Sequence, residues 1–165
     1  MSKSANQVLQ MYDGFVRTVS RLQSPFLLLV RLYWGWQFAQ VGWGKLHGLP
    51  HVTEFFASLG LPAPGITAVL VSTFELVGGI LLALGLLSRI TALGIVIDMT
   101  VAYLTADRES ALAFFSDPAK FYNADPFIFW FAGLLILIFG PGKFALDQVL
   151  RRSSAFAGND NKRFP

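Results

Sequence analysis

The 165 residues are 54% hydrophobic and only 14% charged, with a mean hydropathy of +0.54, which is too apolar for an ordinary soluble domain of this length. Thirteen Lys and Arg against ten Asp and Glu leave a net charge of +3, so where the charges lie says more than their sum. With no cysteine, disulfide exchange, iron–sulfur clusters, thiol nucleophiles and thiolate metal sites are excluded within the chain.

Residues 1–24 form the first segment. Lys3 precedes apolar residues, but Asp13, Arg17 and Arg21 interrupt any hydrophobic core and no small-residue cleavage site follows, so no signal peptide is expected. Val8, Tyr12, Phe15, Val19 and Leu22 recur at steps of four and three. This spacing predicts a cytoplasmic amphipathic helix lying along a membrane surface. A frayed polar tail is the alternative, since Gly14 weakens a helix.

Residues 25–150 read as an all-α, integral membrane four-helix bundle with short interfacial helices. Its spans cover about residues 26–44, 66–87, 90–106 and 126–140. The first follows Ser24-Pro25, and in the loop after it Val52, Phe55, Phe56 and Leu59 have the spacing of a short amphipathic helix. Gly60-Leu61-Pro62-Ala63-Pro64-Gly65 separates the first and second spans. Only Ser88-Arg89 divides the second from the third, which makes those two antiparallel neighbours. Asp125-Pro126 opens the fourth, which reaches ~22 Å against a hydrocarbon core of ~30 Å, so a re-entrant segment competes with a full span. Residues 151–165 are polar and read as a disordered cytoplasmic tail.

Lys3, Arg17, Arg21, Arg89, Lys143, Arg151, Arg152, Lys162 and Arg163 fall on the side of the termini and the second loop. The positive-inside rule then predicts a multi-pass protein of the bacterial inner (plasma) membrane with both termini cytoplasmic. Arg17, Arg21, Arg151 and Arg152 are expected to meet anionic lipid and not nucleic acid, because no folded basic domain accompanies them.

Three ionisable residues fall inside the spans: Arg31, Glu75 and Asp98. A charge at a helix centre opposes insertion by about 2.5 to 3.5 kcal/mol, nearly all that the apolar residues of the third span contribute, so Asp98 must face the interior. Counting ~1.5 Å per residue from the cytoplasmic ends places Arg31 ~8 Å deep, Asp98 ~12 Å, Gln37 ~17 Å and Glu75 ~18 Å. Arg31 is therefore expected to pair with Asp98, and Glu75 with Gln37, in an intramembrane polar cavity. Arg31, Gly35, Phe38, Gly42 and Lys45 share one helix face, as do Thr91, Gly94, Asp98, Ala102 and Thr105. Such a cavity carries protons or a ligand, or else it is an ion-pair network that only fixes packing.

His47, His51 and Glu54 superficially offer metal ligands, but Gly48 and Pro50 interrupt a continuous helix, and no metal site is expected. Trp43 reads as an interfacial belt residue, and Trp34, Trp36 and Trp130 as packing.

The chain resembles the DoxX family of small bacterial four-helix membrane proteins. Arg31-Leu32 with Gly35, Phe38, Gly42 and Lys45 is similar to the family's first helix, and Phe55-Phe56-Ala57 before Gly60-Leu61-Pro62-Ala63-Pro64 to its first loop. Phe74-Glu75-Leu76-Val77-Gly78-Gly79 with Leu82, Gly85 and Arg89 is similar to the second helix. Gly140-Pro141-Gly142-Lys143-Phe144-Ala145-Leu146-Asp147 is similar to the closing motif. The resemblance implies family-motif roles for Arg31, Lys45, Glu75 and Arg89, with Asp147 organising the cytoplasmic end.

It further implies a non-catalytic membrane subunit or anchor of a redox complex, with quinone as the candidate cofactor and no catalytic residue of its own. The expected partners are membrane lipids, a soluble or membrane redox enzyme, and a second copy of the chain. A small proton-coupled transporter using Glu75 and Asp98 is the alternative from a different class, and a structural assembly factor is the third.

Overall fold

The computed structural model describes residues 3–150, and the tail expected over 151–165 lies outside them. Seven helices follow in order: α1 Lys3–His47, α2 Leu49–Ser58, α3 Pro64–Leu84, α4 Ser88–Thr105, α5 Arg108–Leu112, α6 Pro118–Tyr122 and α7 Pro126–Phe139. The described residues contain no strand.

Residues 3–24 of the expected first segment and the first expected span lie on one helix, because α1 runs without interruption through Pro25. A proline removes one backbone donor and frees the carbonyl four residues earlier. Here that carbonyl belongs to Arg21, and both residues are exposed, so the freed group meets solvent and the helix continues. The boundary expected at residue 24 is thus a change of environment along one 45-residue helix.

Further along, α3 ends in a Schellman turn at Gly85 (φ 71°), where Leu86 N–H donates to Leu81 O and Gly85 N–H to Leu82 O. The turn leads almost directly into α4, as the short link requires. Over the unassigned third loop the chain forms α5 and α6, which pack Phe114 and Phe121 with Phe127 of α7. Phe121 also stacks on Tyr103 at 4.8 Å and accepts its hydroxyl hydrogen bond through the backbone carbonyl.

The chief packing partners are α1 with α3 and α4 with α7, followed by α2 with α3, α3 with α4 and α7 with α1. Their common core holds Leu27, Phe38, Leu82, Ile95, Met99 and Ile136. Among the described residues, α3 and α4 are the two helices long and apolar enough to cross a membrane. On α3 the buried face is Ala68, Ser72, Glu75, Gly78, Gly79 and Leu82, while Leu70, Val77, Ile80 and Leu84 point outward. On α4 Ser88, Thr91, Ala92, Ile95, Met99 and Tyr103 are buried, while Ile90, Leu93, Ile97 and Leu104 are exposed. Small and polar residues dominate the buried face of α3, and both helices carry branched apolar residues outward, as a lipid environment allows.

Small residues set the distance between α1 and α3. A Cβ added at Gly42 would fall 2.6 Å from Ser72 O, and one at Gly79 would meet Gly35 O at 2.5 Å. Both obstacles are backbone and cannot rotate away, so the helices would have to separate. Gly42→Leu is accordingly expected to destabilise the fold by about 3 kcal/mol, read as a lower unfolding midpoint in detergent micelles.

Candidate functional site

The α1–α3 contact positions the first polar side chain of the site. One turn beyond Gly42, Lys45 Nζ donates to Glu75 Oε1 at 2.5 Å. Glu75 is 1% exposed, whereas the Lys45 side chain retains 30% exposure, so the pair has one dry and one partly wet member. The second carboxylate oxygen, Glu75 Oε2, is shut from solvent and has no hydrogen-bond partner. Asp98 Oδ2, on α4, is in the same condition.

These groups border a cavity of about 870 Å³ between α1, α3, α4 and α7, with Phe55 and Phe56 of α2 at its wall. Gln37, Lys45, Glu75 and Asp98 contribute to its polar lining, and Trp34, Phe38 and Phe129 supply aromatic surface. Chemically the site offers one cationic donor and two free carboxylate oxygens within an apolar shell.

Two expected pairings are corrected by this arrangement. Lys45, not Gln37, holds Glu75, although Gln37 does line the cavity. Arg31 does not pair with Asp98 and is not among the cavity residues. It is fully buried, and its Nη2 donates to Phe144 O at 2.9 Å at the opposite end of the helices. Arginine carries its charge several bonds from Cα, so the depth of the backbone did not fix the depth of the guanidinium. A Cβ at Gly85 would collide with this guanidinium, so the glycine of the α3–α4 turn makes room for it. The inward stripe Arg31, Gly35, Phe38, Gly42 and Lys45 already placed Lys45 on the correct face, which was the available signal for its role.

At the Arg31 end, Asp147 joins three segments. Its Oδ1 accepts from Leu87 N at 2.8 Å and its Oδ2 from Ser88 N at 2.9 Å, which satisfies the first donors of α4. Its own N–H donates to Gly85 O at 3.0 Å, and its charge acts on Arg31. Arg89 leans towards Ile138 O at 3.5 Å.

Residues of the third loop were not foreseen at the site. Asp107, Asn123 and Asp125 border the Lys45 end of the cavity. Burial first, and the neighbouring Asp125 second, push the Asp107 carboxyl above the usual carboxylate range. Farther out, the Lys120 ammonium hydrogen-bonds exposed Glu109 at 2.9 Å and holds its carboxyl below that range.

His47 ends α1 with its Nδ1 2.9 Å from Trp43 O, while His51 belongs to α2. No cluster of three or more His, Asp or Glu suited to a metal occurs among the described residues. Trp130 Nε1 donates to Thr100 Oγ1 at 3.1 Å, Trp34 packs edge-on against Phe129, and Trp43 is exposed.

A family model described as DoxX matches residues 26–108, which include Arg31, Lys45, Glu75, Arg89 and Asp98 but not Asp147. "Inner membrane protein YqjF" of Escherichia coli is 28% identical over 138 residues, covering 81% of this chain and 98% of that protein. "Putative oxidoreductase CatD" of Bacillus subtilis is 33% identical over 78 residues, covering 47% of this chain and 57% of that protein. No solved structure matches the chain. The match to the family model, the length and apolar composition of α3 and α4, and the inner-membrane relative agree: the chain is a membrane protein of the DoxX family.

Proposed function

We propose that the chain is a non-catalytic membrane subunit that holds a quinone-class ligand in the Lys45–Glu75–Asp98 cavity and anchors a redox enzyme to the bacterial inner membrane. In this reading the second half of α1 and the short α7 cross the bilayer with α3 and α4 as a four-helix bundle, both termini cytoplasmic. The basic residues Arg17, Arg21, Arg89 and Lys143 at one end support that orientation.

The observation that carries the reading is the pair of carboxylate oxygens, Glu75 Oε2 and Asp98 Oδ2, buried beside the cavity without protein partners. Buried polar atoms are ordinarily satisfied, so two acceptors at one cavity ask for a ligand with donors. The hydroxyls of a reduced quinone meet that need, and the Lys45 ammonium can donate to a quinone carbonyl. Trp34, Phe38 and Phe129 give the ring an apolar enclosure, and about 870 Å³ is ample for a headgroup. A bound quinone supplies a two-electron, two-proton couple. The chain's own residues would orient the headgroup, keep water from it and hold protons at the two carboxylates. The name of CatD supports a redox association, and the absence of cysteine leaves no thiol to relay electrons or sulfur within the chain.

Extraction of the protein from membranes in mild detergent, followed by chromatographic assay of bound quinone, tests the reading. About one quinone per chain is expected, and Asp98→Asn is expected to lower occupancy roughly tenfold, the effect of one charged hydrogen bond. Protein that stays folded and carries neither quinone nor a redox partner would overturn it.

A further inference from the structure

Among the described residues, nothing covers the apolar stripe on the first half of α1. Val8, Tyr12, Phe15, Val19 and Leu22 are each 47% to 66% exposed. Their alternating spacing of four and three is the 3.5-residue repeat of a coiled-coil seam. It continues in phase through Pro25 at Phe26, Leu29, Tyr33 and Trp36, which are equally exposed. With Val8 at position d and Tyr12 at position a, every seam position from Val8 to Trp36 is apolar or aromatic.

The rest of the helix follows the same frame. Before Pro25, the polar residues Gln10, Asp13, Arg17, Ser20 and Arg21 occupy the b, c and f positions. After it, those positions belong to Leu27, Arg31, Gly35, Phe38 and Gly42, all buried within the molecule. One face of α1 therefore changes from solvated to packed, while the opposite face stays apolar and open from Val8 to Trp36.

We propose that this open face is the seam of a parallel homodimer, in which α1 of a second copy packs along α1 as a coiled coil running from outside the membrane into it. Copies inserted in one membrane share an orientation, so equivalent seam positions meet, as a parallel pair requires. Covering the exposed seam residues before Pro25, with flanking Leu9, Met11 and Val16, would remove on the order of 1,200 Å² in total, the lower bound for a stable specific interface. A helix lying on the bilayer is the competing occupant. It fits less well, because α1 is one unbroken helix whose second half packs along the spanning helix α3.

The absence of native cysteine allows a clean test by single-cysteine variants of the full chain in membranes. Under mild oxidant, Phe15→Cys and Val19→Cys are expected to give disulfide-linked dimer several-fold above Arg17→Cys, which lies at position f and points away from the seam. Equal cross-linking at all three positions, or none at Val19→Cys, overturns the proposal. So does a label on Val19→Cys that is quenched by bilayer-embedded quenchers and gives no dimer, which would assign the stripe to lipid. In detergent, the chain carrying both Phe15→Asp and Val19→Asp is expected to fall to half the native particle mass with its helicity retained; an unchanged mass would equally refute the seam.

Discussion

Lys45→Met is expected to cost about 3 kcal/mol of stability, the lower end of the range for removing one member of a buried ion pair. The substitution leaves the Glu75 carboxylate 1% exposed, without its donor and with the Asp98 carboxylate nearby. The Lys45 side chain is itself 30% exposed, so water screens part of the interaction and the upper end of that range is not reached. The companion variant separates charge from shape. Lys45→Met combined with Glu75→Gln removes both charges together and is expected to recover most of the loss, because no uncompensated ion remains. Unfolding midpoints of the purified protein in micelles, compared across the two single variants and the double, give the coupling directly. A Lys45→Met midpoint within about 0.5 kcal/mol of the native value would show that the pair adds nothing to the fold.

Asp147→Ala is expected to be comparably severe, at about 3 kcal/mol, by a different route. Its carboxylate accepts from the first two donors of the α4 turn, at 2.8 and 2.9 Å, and is the negative charge acting on buried Arg31. Alanine withdraws the cap and leaves the guanidinium with the single Phe144 carbonyl acceptor that the fold gives it. Asp147→Asn keeps one acceptor oxygen and the shape of the side chain, and is expected to lose about half as much. Hydrogen exchange at Leu87, Ser88 and Arg89 checks the mechanism, since those amides should exchange faster in Asp147→Ala even where the rest of α4 stays protected. Unchanged protection there would remove the capping account, whatever the global stability.

At the charged residues, sequence and structure agree on helix faces and differ on partners. Asp98 faces inward as the insertion argument requires, and Gly35, Phe38 and Gly42 occupy the buried face of α1 that their spacing marks. The pairing was not legible. Depth counted along straight helices describes Cα atoms, while Lys45 and Arg31 deliver their charges at the ends of long stems, to partners at opposite ends of the helices. The third loop was equally opaque. Asp107, Asn123 and Asp125 reach the cavity because α5 and α6 fold back over it on Phe114 and Phe121, contacts between residues with no common periodicity.

The sequence by itself determined the class of protein and its family. Hydrophobic block length, the two-residue link before α4, and the order of the motifs are all local properties of the chain, and local properties survive without knowledge of neighbours. It also carried the 3.5-residue stripe of α1, though not what that stripe faces. Only the tertiary structure decided that Pro25 does not end α1, that Lys45 meets Glu75, that Arg31 turns instead towards Phe144 and Asp147, and that two carboxylate oxygens remain free beside one cavity. The last three depend on which groups approach within hydrogen-bonding distance across separate segments. That distance is set by the glycine contacts between α1 and α3 and by side-chain reach, neither of which a single segment encodes.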